Sequence, residues 1–318
     1  MTSSFSLLLQ IIYIVIAPIF LMMGVGFLVQ KKLGFDLRSL TRLNFWIFVP
    51  AFLFVHIVES KLSSRDLGLV LAHFSICFVM LFALTWQVAR VLDASSGIQR
   101  AMTSAVLFPN GGNYGVPAAH LAFGAAGVSV QAMMVMLINT TNFTIGLGLN
   151  AGGKTGESKR DNVRHTARAA LRLPMIYTLV VALVWRATAW PIPQPINTSL
   201  HYLSDALVPI ALVTLGAQLA TLKTFRFSRA KNIAMGTTLF LRHMVAPVLA
   251  YALAVFLKMP TFLTQSLVVA ASFPCGVNPA LLAIEYNNEP EFASALVFYS
   301  TLLSIPTVAL AIFFARGL

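Results

Sequence analysis

Two stretches, FPNGGNYGVP at residues 108–117 and FPCGVNPALL at 273–282, interrupt apolar runs with prolines, glycines and asparagines. Proline has no backbone donor and clashes with the turn before it, so an unbroken helix through residues 110–117 is costly. In the first turn of a helix it is well accommodated. The pattern predicts two helices, each broken into halves. One first half ends near Phe108 and its second half starts near Val116, with Pro117 following. The other breaks near Phe273, and its second half opens with Asn278 as N-cap and Pro279 behind it. Each second half presents unpaired N–H groups and a partial positive charge of about half a unit. Two such ends facing one cavity, away from water, suit an anion. Gly111, Gly112, Gly115 and Gly276 let the backbone approach closely. Asn110, Asn113 and Asn278 supply amide hydrogens without a fixed charge. Carbonyls at the ends of the first halves are left for a cation or for water.

The elements that must position these groups follow from composition. The 318-residue chain is 58% hydrophobic and 10% charged, with a mean hydropathy of +0.81; an ordinary soluble domain carries about 25% charged residues. An integral membrane protein is the class that fits. Runs near the ~20 apolar residues needed to cross a bilayer lie at roughly 8–29, 37–58, 68–90, 101–123, 127–149, 173–190, 199–221, 233–257, 262–286 and 291–315. Alternating strands of a barrel are absent, which leaves helices. The first run is too long for a signal peptide and lacks a charged leader, so it is expected to be retained.

The net charge of +12 belongs to topology and not to nucleic acid. Seventeen of the 22 Lys and Arg fall in the odd-numbered loops, counting Arg242 at the inner end of the eighth span. Lys61, Arg65, Arg186, Lys258 and Arg316 remain for the other side. Basic loops stay in the cytoplasm, so both termini are expected outside the cell membrane. The stretch 150–172 is basic and polar and reads as a cytoplasmic linker, with a short surface helix at 159–171 as an alternative to solvated charge.

The linker separates residues 1–149 from 173–318, and the two parts echo each other. Pro50 and Pro209 are 159 residues apart; Pro117 and Pro279 are 162 apart. Five spans per half is an odd number, so the second half is inverted relative to the first. Interrupted segments at matching positions of two halves point to a transporter's binding site. Near the same depth, Asn139 and Asn142 share a face of the fifth span. They line the cavity or serve as interhelical glue, as do Ser300, Thr301 and Ser304 in the tenth.

With these residues in place, the sequence resembles the auxin efflux carrier family, whose plant members are the PIN-FORMED proteins and whose bacterial members are compact ten-helix permeases. The resemblance rests on RLNFWIFVPAFLF, FPNGGNYGVP, LSDALVPIALVTLGAQLA, RHMVAP and FPCGVNPALLAIEYN, in order along almost the whole chain. It implies an all-α membrane protein of ten transmembrane helices, a 5+5 inverted repeat whose broken helices 4 and 9 form a crossover. It also implies a carboxylate site at that crossover, near Asn110, with Pro109, Pro117, Pro274, Gly276 and Pro279 matching the family pattern. Asn278 departs from it, standing where plant carriers have an apolar residue, which suggests a more polar substrate. The long cytoplasmic loop of many plant members and their charged cluster on helix 3 are missing, and helix 9 lacks the mid-membrane acid of sodium–bile acid symporters.

The expected function is a secondary transporter for small organic anions, working by alternating access. Its substrate contacts are Asn110, Asn113, Gly115, Val116, Pro117, Gly276, Asn278 and Pro279, with Asn139 and Asn142 beside them. The alternative is a receptor that binds such an anion without moving it. Motifs of intramembrane enzymes are missing, and Cys77 and Cys275, both within spans, give no basis for a disulfide or metal site. No cofactor and no nucleic acid are expected; partners are the anion and the lipid bilayer, with a homodimer left open. As coupling ion a proton is favoured over sodium, and His120, one turn beyond Pro117, is its candidate carrier. His73 and His243 read as packing residues, Asp205 as a first-turn carboxylate of the seventh helix, and Arg242 as snorkelling to the interface.

Overall fold

The computed structural model describes residues 4–151, 173–188, 190–222 and 225–318. The 159–171 surface helix and nearly all of the expected linker lie outside the described residues. Every described element is helical: α1 (Ser4–Leu33), α2 (Leu37–Val58), α3 (Ser64–Val91), α4 (Ser96–Leu107), α5 (Gly111–Asn150), α6 (Pro174–Thr188), α7 (Gln194–Ala220), α8 (Arg229–Phe256), α9 (Thr261–Ala271), α10 (Val277–Glu285) and α11 (Pro290–Arg316). Among the described residues seven of these are long and apolar enough to cross a membrane: α1, α2, α3, α5, α7, α8 and α11. Tyr13, Leu21, Val79, Val248 and Phe256 are apolar and exposed on them, as side chains facing lipid would be. The chain is a multi-pass membrane protein.

Polar side chains set several helix starts. Asp36 accepts from the Arg38 N–H and the Ser39 hydroxyl ahead of α2, and the Ser39 bond holds its carboxyl below the usual range. Ser63 and Asp66 form a reciprocal cap on α3, and Ser95 and Ser228 cap α4 and α8. Inside the helices prolines shape the path. Wide turns at Ile12–Ile16, Asn44–Phe48, Gly111–Gly115 and Leu241–Val245 each stand two residues ahead of a proline: Pro18, Pro50, Pro117 and Pro247. A proline withholds one N–H and crowds the carbonyl a turn back, so the preceding turn opens to an i→i+5 pattern. In α1, for example, the Ala17 N–H reaches back to the Ile12 carbonyl.

Two helix groups enclose the site. In the first, α1 lies along α7, and α2 packs against α6 and α7. The α1–α7 contact is backbone on backbone: a Cβ on Gly26 would stand 2.0 Å from the Val213 carbonyl oxygen, and one on Gly216 1.9 Å from that of Met23. Small residues at such a crossing let helices gain close packing where lipid supplies no hydrophobic drive. In the second group α3 packs on α4, α8 on α9, and α11 on α9 and α10. An apolar cluster that includes Phe52, Val128, Met175 and Leu207 joins α2, α5, α6 and α7 across the boundary.

α4 ends at Leu107 and regular α-helix resumes at Val116, with the wide turn at Gly111–Gly115 just ahead of it. Two expectations need correction. Asp205 is not in a first turn; α7 begins at Gln194, so Asp205 lies well inside it and is exposed. Asn278 is not an N-cap: Gly276 holds that position without a side-chain bond. The α1–α7 crossing gives a direct test. Gly216→Ala is expected to destabilise the protein by about 1–3 kcal/mol, the usual cost of overpacking, whereas Gly24→Ala, with nothing within 4 Å of its Cβ position, changes stability little. Thermal unfolding of both purified variants in detergent measures the difference.

Candidate functional site

The two breaks meet. Pro109 and Cys275 form an antiparallel bridge, in which the Asn110 N–H donates to the Pro274 carbonyl at 2.7 Å and the Gly276 N–H to the Phe108 carbonyl at 2.8 Å. The approach requires glycine at 276, since a Cβ there would lie 2.8 Å from the Phe108 oxygen. Other backbone groups are taken up by buried side chains. Gln131 donates to the Gly111 carbonyl at 2.8 Å, and the Ser300 hydroxyl accepts from the Cys275 N–H at 2.8 Å. His243 joins that ladder, 2.8 Å from Ser300 Oγ and 2.9 Å from Thr307 Oγ1. Ser300 is therefore a support of the break; Thr301 and Ser304 bond to their own helix backbone.

Arg242 reverses its expected role. Only 2% exposed, it does not snorkel. The wide turn ahead of Pro247 places it in the protein interior, where it donates to the Val106 carbonyl at 2.6 Å and the Phe273 carbonyl at 3.0 Å, and also to that of Ala271. These carbonyls lie in the last turn of α4 and at the end of α9. The carboxyl ends of both first halves thus have a partner.

The amino ends of the second halves face a cleft. The geometry of a helix start leaves the N–H groups of Gly112 and Asn113 in α5, and of Val277 and Asn278 in α10, without partners inside their helices. The cleft, partly open to solvent, is lined from the breaks by Pro109, Asn110, Gly111, Gly112, Asn113, Gly276, Asn278 and Pro279. α5 adds Asn139 and Asn142, α2 adds Thr41, Asn44, Phe45 and Val49, α6 adds Met175, and α7 adds Thr214 and Gln218. It lies between the two helix groups. Thr41, Gln218 and Val277 also line a second hollow, whose wall includes Arg38 and Arg42.

Its polar inventory is incomplete within the protein. Asn110 Nδ2, Asn44 Oδ1, Gln218 Oε1 and both Nδ2 and Oδ1 of Asn142 are buried with no protein partner, although a buried polar atom normally has one. Others are paired: Asn278 Nδ2 donates to Asn139 Oδ1 at 3.2 Å, Asn44 Nδ2 to Thr214 Oγ1 at 3.4 Å, and Gln218 Nε2 to Thr41 Oγ1 at 3.3 Å. No residue lining the cleft titrates near neutral pH. What it offers is amides and helix ends, a set that can hydrogen-bond an anion without exchanging a proton.

Of the residues singled out from the sequence, Asn110, Asn113, Gly276, Asn278, Pro279, Asn139 and Asn142 come together here, with Pro109 on the wall. Pro274 contributes its carbonyl to the break pairing. Gly115, Val116 and Pro117 do not line the cleft; they are buried beneath it, and a Cβ on Gly115 would strike the Phe273 ring at 2.6 Å. His120 is exposed and outside the cleft. Asn44, Thr214 and Gln218 were missed. Their signal was a lone amide or hydroxyl in an apolar run, in RLNFW, LVTLG and GAQLA.

The comparisons with known proteins agree with this architecture. The family described as membrane transport protein matches residues 11–312, and the chain belongs to this auxin efflux carrier family of membrane transporters. It is 30% identical to auxin efflux carrier component 8 of Arabidopsis thaliana over 46% of this chain and 40% of that protein; the match thus spans less than half of the plant carrier. An uncharacterized transporter of Methanothermobacter thermautotrophicus is 29% identical over 86% of this chain and 88% of its own. A Rhizobium meliloti protein whose name proposes malonate transport is 25% identical over 95% of both chains.

Asn142 permits a test of whether the cleft is built for binding at the expense of stability. Two unpaired buried atoms on one side chain cost about 1–3 kcal/mol each. Asn142→Leu is therefore expected to raise the unfolding temperature of the ligand-free protein while abolishing anion binding. Both are read by thermal shift without and with added carboxylates.

Proposed function

We propose that the protein is a secondary carrier of small organic anions, mono- or dicarboxylates, which binds them where the two breaks pair. One observation carries the reading: Asn110 and Asn142, whose buried amide atoms have no protein partner, line the same cleft as two helix amino ends. An anion leaving water must recover the hydrogen bonds it gives up. Helix N–H groups and asparagine amides supply them, and the partial charge of each helix end favours the negative ligand.

In this reading α4 with the start of α5 is the fourth span, and α9 with α10 the ninth. Gly124, at φ 63°, marks the boundary between the fourth and fifth spans inside α5. The chain then has ten spans in a 5+5 inverted repeat, with both termini outside the cell membrane, as the distribution of Lys and Arg suggests. Access alternates as the group carrying the breaks moves against α1, α2, α6 and α7, between which the cleft lies. The adjoining hollow lined by Arg38 and Arg42 fits an opening on the basic, cytoplasmic side. The two arginines at its edge would draw anions towards the cleft.

Malonate is the first substrate to try, because a relative matching nearly the full chain is named for it. The plant relatives' names point to auxin, but the polar Asn278 on the wall suits a smaller, more hydrophilic acid. Coupling through His120 gains nothing from its position, since it does not reach the cleft.

Malonate binding to purified protein, measured by calorimetry, tests the site. Asn110→Ala is expected to weaken binding by about 1–3 kcal/mol, the range for losing a hydrogen bond to a charged group. Asn278→Ala does similar damage and shifts preference towards less polar acids. Asn110→Asp is worse than alanine because it sets a like charge against the ligand. Malonate, or whichever mono- or dicarboxylate the wild type takes, bound equally well by Asn110→Asp and wild type would refute the site.

A further inference from the structure

The partner of Arg242 is unusual for a buried cation. No carboxylate lies within salt-bridge distance of it among the described residues; its donors go instead to three main-chain carbonyls. Two of these, at Val106 and Ala271, end the first half-helices α4 and α9, and the third, Phe273, lies in the second break. A helix carboxyl end carries about half a negative charge, so two ends amount to roughly the charge that one guanidinium neutralises. Guanidinium keeps its proton in proteins and presents donors in a planar fork. Arg242 can therefore hold several carbonyls at once in a fixed arrangement. Free carbonyls at broken helices are also what carriers use to coordinate a coupling cation. Here those oxygens already have one.

We propose that Arg242 is a built-in counter-ion: its guanidinium takes the place of a coupling cation at the carboxyl ends of α4 and α9 and holds the breaks in their anion-binding arrangement, so that binding needs no sodium. The next residue supports the same arrangement. His243 and Ser300 fix the Cys275 N–H from the other side, so both buried polar residues of this wide turn, Arg242 and His243, serve the paired breaks. Arg242 is a positioning residue; it does not line the cleft. The inference rests on the anion-site reading for its effect on binding, but its effect on the breaks stands apart from any substrate.

Two readouts keep these separate. The chain has two cysteines, Cys77 and Cys275, so a Cys77→Ser background leaves one thiol, buried in the second break. With Arg242 present, Cys275 is expected to resist N-ethylmaleimide. Arg242→Ala is expected to label about tenfold faster, equivalent to about 1.4 kcal/mol in the opening equilibrium, and low guanidinium, but not equal urea, restores protection. Arg242→Lys keeps the charge but loses the three-point fit, so it folds and labels at an intermediate rate. The second readout is malonate binding by calorimetry. Wild-type affinity is expected to be unchanged when choline replaces sodium, and Arg242→Ala to lose affinity and regain it with guanidinium.

Sodium-dependent binding by the wild type would overturn the proposal. So would an Arg242→Ala or Arg242→Lys protein whose Cys275 is as protected as in the wild type without guanidinium. If the wild type binds neither malonate nor related carboxylates, the anion-site reading fails, and the labelling still decides the role of Arg242.

Discussion

Everything in this structure depends on how two interrupted backbones are satisfied inside the protein. A spanning chain has no water to complete its hydrogen bonds, so each break exposes groups that must find protein partners or line a cavity. The breaks first satisfy each other, through the Asn110 N–H to Pro274 and the Gly276 N–H to Phe108. Arg242 takes carbonyls at the carboxyl ends, and Gln131 and Ser300 take two groups between. The amino ends alone are turned to the cleft. On the proposed reading, this division of partners makes an anion site: negative poles neutralised inside the protein, positive poles left for a ligand.

The helix packing serves that division. Backbone contact at Gly26 and Gly216 draws α1 onto α7, and α7 in turn brings Thr214 and Gln218 to the cleft wall. α2 brings Asn44 from a wide turn ahead of Pro50. These residues belong to the group of helices facing the breaks, so a ligand bridging the two would sense any relative motion of the groups. Asn44 and Gln218 on one side, and Asn110 and Asn142 on the other, line the cleft and carry buried atoms without a protein partner.

The breaks themselves were legible in the sequence because proline and glycine act locally. Pro109, Pro117, Pro274 and Pro279, set among glycines, make an unbroken helix through these stretches costly, and the asparagines beside them mark the polar side. The membrane class and most spans were legible for a similar reason, as hydropathy needs no tertiary knowledge. Arg242 was misread because its sequence neighbourhood is that of any arginine at a helix end. Only the turn ahead of Pro247, and carbonyls 29 to 136 residues away, show where it goes. Asn278 was misread as a cap because the helix starts earlier than its proline suggests, which moves the role to Gly276. Asn44, Thr214 and Gln218 stand out in the sequence only as lone polar residues in apolar runs; long-range packing is what brings them to the cleft.

The central claim is that an anion sits between the amino ends of α5 and α10. Crystals of the protein grown with bromomalonate, with the bromine located by its anomalous signal, test it most directly. The account predicts a single strong peak in the cleft, with the carboxylates within hydrogen-bond reach of Asn110 and Asn142. A peak confined to the mouth at Arg38 and Arg42, or to the apolar groove of Pro247, Tyr251 and Phe314, would contradict it.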